Sequence, residues 1–129
     1  MPLLKINSTK ELDSEEKTAF IEDIAERYAE TMDSETRFLS IVFNETAREN
    51  VWLGRASGTN ADIVVLEADI RAGRPSEQLR TFALEFIETV HERWEIPYSN
   101  TKVVFTEHEG RHMMGYDRVG SDWGSTQDE

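Results

Sequence analysis

The strongest constraint on this chain is that it writes one pattern, strand then helix then strand, twice over. Residues 2–6 make a short apolar strand, and residues 38–43 make a second one that alternates and is rich in β-branched and aromatic side chains. Between them Ile21, Ile24, Ala25, Tyr28 and Met32 recur at helical spacing, and Asp13-Ser14-Glu15-Glu16 supplies an N-cap with first-turn acids, so a helix is predicted from about residue 14 to 32. The second copy opens with an almost unbroken apolar run at 62–70, suited to a strand covered on both faces. A helix is predicted over about 76–94, where Leu79, Phe82, Ala83, Phe86, Ile87, Val90 and Trp94 form one wide stripe. Pro97 ends that region and residues 101–106 form the fourth strand.

Each copy has the length of a βαβ unit, whose crossover is right-handed. The halves, about 2–58 and 62–118, therefore predict a single α/β domain (α+β in some schemes) with a four-stranded mixed sheet and both helices on one face. Residues 119–129 form a polar tail whose composition packs poorly. A sheet covered on one side leaves its other face bare, and Val51-Trp52-Leu53-Gly54 adds an apolar cluster inside the polar stretch 44–61. That cluster either tucks back onto its own core or docks on another subunit, and oligomerisation is the simplest way to bury both surfaces.

Charge narrows the function classes. The chain carries 26 acids against 14 bases, a net charge of −12, and its lysines are Lys5, Lys10, Lys17 and Lys102. A phosphate backbone needs a basic face, so nucleic acid is not an expected partner. Cysteine is absent, which excludes disulfides, thiolate metal sites and cysteine nucleophiles. The N-terminus carries no apolar segment of signal-peptide length, and no apolar run approaches the roughly 18 residues of a membrane span. The expectation is a cytoplasmic protein without membrane contact.

Two stretches carry candidate chemistry. In Arg71-Ala72-Gly73-Arg74-Pro75-Ser76-Glu77 a cationic turn leads into a helix start. Either the two arginines fork onto a carboxylate, helped by the first-turn amides, or they offset the surrounding acids. The second stretch, His108-Glu109-Gly110-Arg111-His112, matches the zinc-protease spacing, which works only when both imidazoles project from one helix face with a third ligand beyond. Here it follows a strand directly and contains Gly110. Two histidines in a polar turn are the expectation, with no metal site, and His91 in the second helix is expected to be a surface or packing residue and not a ligand.

Taken together, several features resemble the tautomerase superfamily, and within it the cis-3-chloroacrylic acid dehalogenase group. They are Pro2 directly after Met1, the duplicated βαβ pattern, Phe38-Leu39 opening the second strand, Val51-Trp52-Leu53-Gly54, Arg71-Ala72-Gly73-Arg74, and Met113, Tyr116 and Arg118. The resemblance implies a tautomerase-like fold and a homotrimer with sites at subunit boundaries. It also implies that Pro2 is freed at its nitrogen by loss of Met1, that Arg71 and Arg74 bind a substrate carboxylate, and that the main chain at Leu39 lies beside the same ligand. The group's first-helix histidine falls at Tyr28, which either donates a hydrogen bond to substrate or packs in the core, and its fourth-strand tyrosine falls at Val104, placing Phe105 beside the substrate. Gly115 stands where the dehalogenase has a water-activating glutamate, with Glu107, Glu109 and Asp117 as possible substitutes.

An N-terminal proline is a secondary amine, and burial beside two guanidinium groups disfavours its protonated form, which poises it as a general base at neutral pH. The expected activity is keto-enol tautomerisation of a small 2-keto or 2-hydroxy-alkenoic acid, with no cofactor. The alternatives are a hydratase, dehalogenase or decarboxylase of a short unsaturated acid, a non-catalytic trimeric binding protein and a zinc hydrolase.

High acid with little lysine also suggests adaptation to strong salt, where screening removes self-repulsion. The melting temperature is therefore expected to rise between low and molar KCl; a flat or falling curve would refute this.

Overall fold

In the computed structural model, residues 1–56 and 58–116 are described. Asp117, Arg118 and the predicted tail at 119–129 lie outside them. The elements are β1 (Leu3–Ser8), α1 (Ser14–Thr31), β2 (Ser40–Glu45), β3 (Val64–Arg71), α2 (Ser76–Trp94) and β4 (Thr101–His108), joined by short 3-10 turns. Sheet order is β2-β1-β3-β4. Each repeat supplies one parallel pair, β1 with β2 and β3 with β4, and the repeats join by antiparallel pairing of β1 with β3.

Alternation along the central strands sorts the two faces. Leu4 and Ile6 of β1 and Val64, Leu66, Ala68 and Ile70 of β3 are at most 1% exposed and form one cluster with Phe20, Ile24 and Tyr28 of α1 and Phe82, Phe86 and Val90 of α2. Both helices thus cover the same face, as the repeat pattern predicts. Aromatic edges lock the helix layer: Phe20 lies 4.5 Å from Trp94 and Tyr28 packs edge-on to Phe82 at 5.1 Å, centroid to centroid. Asp13 caps α1 by accepting from the Glu16 amide at 2.8 Å, and the Glu16 carboxylate accepts from the Asp13 amide at 3.3 Å.

The other face is bare in the single chain but more polar than apolar. Across one row of the sheet, Val42 faces Lys5, Lys5 faces Glu67 and Glu67 faces Val104. Beside that row, the Asn44 amide donates to Asn7, and the Asn7 amide donates to Glu67 at 3.0 Å. Trp52, at 81% exposure, covers Gly54 and leaves most of its indole to solvent.

Three strand ends differ from the sequence reading. Residues 36–38 close a 3-10 turn, with the Phe38 and Leu39 amides donating to Glu35 and Thr36, so β2 starts at Ser40. Asp62 is taken by the Thr9 hydroxyl at 2.8 Å, so β3 starts two residues later than expected. β4 runs past the apolar pattern to His108, because β3 continues to Arg71 and offers it a partner.

The helices are also tied by Asp23 on α1, which accepts from Arg27 on its own helix at 2.8 Å and from Arg93 on α2 at 3.0 Å. Burial raises the Asp23 carboxyl, but the hydrogen bonds and charges of Arg27 and Arg93 outweigh it and hold the group below its ordinary value. The folded state therefore binds fewer protons here than the unfolded chain. This contribution to stability is present above the ordinary carboxylate value and is lost as pH falls through the lowered one. In Asp23→Asn, acid unfolding is expected to show a shallower loss of stability with falling pH than the parent, measured by urea melts at a series of pH values.

Candidate active site

Pro2 is buried at the head of β1, where its carbonyl accepts the Ser40 amide at 3.0 Å and so ties it to the start of β2. Antiparallel pairing sets Leu3, the next residue, opposite Asp69 near the end of β3. The ends of all four strands thereby meet around a cleft of about 430 Å³, lined by Met1, Pro2 and Ser40, by Asp69 and His108, and by His112 to Gly115. Met1 lies against Gly115, where a Cβ would collide with the methionine methyl, so the absence of a side chain at 115 makes room for Met1 over the cleft.

Across β3 and β4, His108 pairs in register with Arg71 and leans back to Asp69, and its Nε2 lies 2.8 Å from the Asp69 carboxylate. The Ala72 amide donates to the His108 carbonyl at 2.8 Å and fixes the strand end. In the following turn Glu109 accepts from Arg111 at 2.9 Å, and His112 stands 3.7 Å from the same carboxylate. The two histidines of the His-Glu-Gly-Arg-His stretch thus belong to the proline cleft. They do not share a helix face: His108 ends a strand and His112 lies in a 3-10 turn. Among the described residues no group of three His, Asp or Glu side chains converges to hold a metal. His91 stacks on Tyr98 at 3.9 Å and bonds the Ile96 carbonyl, which is a packing role.

Of the residues expected to form the site, Pro2 alone lines this cleft in the single chain. Arg71 follows core-facing Ile70 and so shares the open side of β3 with Asp69. Arg74 is 8% exposed, and its guanidinium donates twice to the Met32 carbonyl at the end of α1, at 3.2 and 3.0 Å. Gly73, at φ 118°, turns the chain between the two arginines in a conformation that favours glycine. Tyr28 is fully buried against Phe82, Phe105 packs on the helix side of the sheet, and Leu39 turns its side chain to the core while its amide serves Thr36. None of these three reaches the cleft; each follows the apolar face of its element instead. Ser40 and Asp69 line the cleft without having been singled out in the sequence, and His108 and His112 line it after being read only as a metal motif. Alternation could have found Asp69, which falls on the face opposite Ala68 and Ile70.

No protein-family model matches the sequence, and no curated protein matches it. Solved structures do. N1, a member of the cis-3-chloroacrylic acid dehalogenase family, aligns with a TM-score of 0.78 over 91% of this chain and 82% of that one, at 21% identity. Native fused 4-OT aligns at 0.82 over 95% and 99%, at 18% identity. A wild-type fused 4-OT described as a symmetric trimer aligns at 0.80 over 94% and 98%, at 17% identity. The chain has the tautomerase fold. Among the described residues of this tautomerase-like chain, no helix is long and apolar enough to cross a membrane.

Arg74→Ala would leave the carbonyl of fully buried Met32 without those two donors. The expected loss is about 1.5–3 kcal/mol of stability, read as a lower urea midpoint at unchanged m-value. A variant as stable as the parent would show that the contact contributes nothing.

Proposed function

We propose that this protein is a keto-enol tautomerase of small 2-keto or 2-hydroxy-alkenoic acids, active in the cytoplasm as a homotrimer, with Pro2 as its general base and acid. The observation that carries this reading is that Pro2 lines a cleft together with Met1, the residue that must be removed to free its nitrogen. While Met1 is attached that nitrogen is an amide and has no useful basicity. Once Met1 is cleaved, a secondary amine faces the space that the methionine filled.

In that space the amine removes a proton from the carbon next to the substrate carbonyl and returns it at another position of the enolate. Arg71, on the open side of β3 with Asp69, is assigned the substrate carboxylate. Arg74, whose guanidinium donates to the Met32 carbonyl, is assigned the same carboxylate. The trimeric assembly of a fused 4-OT with the same fold supports the homotrimer. Hydration or halide hydrolysis has less support. Gly115 supplies no carboxylate for water, and among the described residues the one acid lining the cleft, Asp69, already holds His108.

Intact mass of the protein purified after expression is expected to show loss of the initiator methionine. With phenylpyruvate as substrate, Pro2→Ala is expected to lower kcat/KM by about 10²-fold or more. Full turnover in that variant, or in protein that retains Met1, would remove Pro2 from the reaction.

A further inference from the structure

We propose that His108, oriented by Asp69, is the second proton-transfer group of the cleft, serving the substrate oxygen while Pro2 serves carbon. The proposal rests on the tautomerase reading above.

Several observations place His108 in this role. Both members of the pair line the cleft that contains Pro2. Asp69 is held opposite Leu3 by strand pairing, so the carboxylate sits one residue along the chain from the proline. The 2.8 Å contact joins His108 Nε2 to Asp69, and the side chains are 34% and 28% exposed, shielded on the sheet yet open to a small molecule. The backbone is fixed on both sides, by β4 pairing to His108 itself and by the Ala72 amide on its carbonyl. A surface ion pair on a solvated strand would show the same distance without sharing a cleft with a candidate base.

The chemistry follows from which nitrogen is engaged. With Asp69 accepting from Nε2–H, the ring orientation is set and Nδ1 is the nitrogen that exchanges a proton. In the keto-to-enol direction Pro2 takes the proton from the carbon beside the carbonyl, breaking C–H and forming N–H. The imidazolium releases its Nδ1 proton to the carbonyl oxygen, forming the enol O–H. The prolinium then loses one proton to water and the imidazole recovers one from water, so atoms and charge balance and no co-reactant is needed. Enol-to-keto conversion runs the same steps backwards. Asp69 is a positioning residue, since it acts through the ring.

The charged and titratable groups around His108 are Asp69 and Arg71 on β3, and Glu109, Arg111 and His112 in the turn after β4. Glu109 is engaged with Arg111 and His112, which leaves Asp69 as the partner that orients the imidazole.

The test uses the full chain lacking Met1, with phenylpyruvate keto-enol exchange measured across pH for the parent, His108→Gln, Asp69→Asn and Pro2→Ala. His108→Gln is expected to lower kcat by about 10²-fold with KM nearly unchanged, and to erase one limb of the pH profile. Asp69→Asn is expected to give a smaller loss in kcat and to displace that same limb. If His108→Gln does not fold, as judged by its urea melt, the limb displacement in Asp69→Asn decides the matter. The proposal is overturned if His108→Gln keeps the parent kcat and both limbs, or changes KM alone; inactivity of Pro2→Ala alongside would leave the tautomerase reading standing. An active Pro2→Ala with an inactive His108→Gln would instead support the imidazole and remove the proline.

Discussion

Everything at this cleft depends on the antiparallel ladder between β1 and β3. A repeat of two βαβ units would otherwise yield two separate parallel pairs, each with an apolar face too small to bury alone. Joined edge to edge, they make one sheet whose helix side is a continuous core from Leu4 and Ile6 to Val64 and Ile70. The same ladder sets Leu3 opposite Asp69, which brings the start of the chain against the end of the second repeat. Fold stability and site assembly therefore rest on one register. A slip by a single residue would turn the core side chains of β1 outward and carry Pro2 away from Asp69.

The bare sheet face constrains assembly in a way that helical covering alone does not reveal. Its central row mixes Val42 and Val104 with Lys5 and Glu67, and the Asn44–Asn7–Glu67 chain of hydrogen bonds occupies the adjoining positions. Such a face has little apolar area to drive association by burial, and polar groups taken out of water there must keep their partners. Large apolar side chains are exposed outside the sheet as well, at Trp52 over Gly54 in the excursion after β2 and at Met114 and Tyr116 after β4. Of the two positions open to the Val51–Gly54 cluster, Ala56 just beyond it tucks fully into the chain, whereas the indole remains in solvent.

Much of the fold was legible because its periodicities are strong. The second helix runs over Ser76–Trp94 as its stripe predicts, and the first ends one residue short at Thr31, with Met32 as its cap. Strand ends were less legible, because the ladder continues through polar residues: Glu107 and His108 break the apolar pattern yet still pair with β3. The site divides along the same line. That Pro2 heads the first strand could be read from its place in the chain. The main-chain contact of Arg74 could not, since a turn arginine looks the same whether it grips a ligand or donates to a carbonyl 42 residues away. Tyr28 followed its stripe into the core, which was one of the two readings open to it. The paired histidines were read only against a helical metal motif, when the relevant geometry was a strand end followed by a tight turn.

Charge gives the site a polarity that the composition hides. Averaged over the chain, a net charge of −12 repels a small organic anion. Yet Arg71 and Arg111 fall at the end of β3 and in the turn beyond β4, beside the proline cleft, interleaved with the pairs that Asp69 makes with His108 and Glu109 makes with Arg111 and His112. Long-range repulsion from the remaining surface decays over about 8–10 Å at physiological ionic strength, whereas a guanidinium in contact with a carboxylate is far less screened. Added salt therefore weakens the barrier to approach more than it weakens the final grip. A guanidinium at this strand end is thus compatible with an anionic substrate despite the acidic surface around it, and it becomes more so as ionic strength rises.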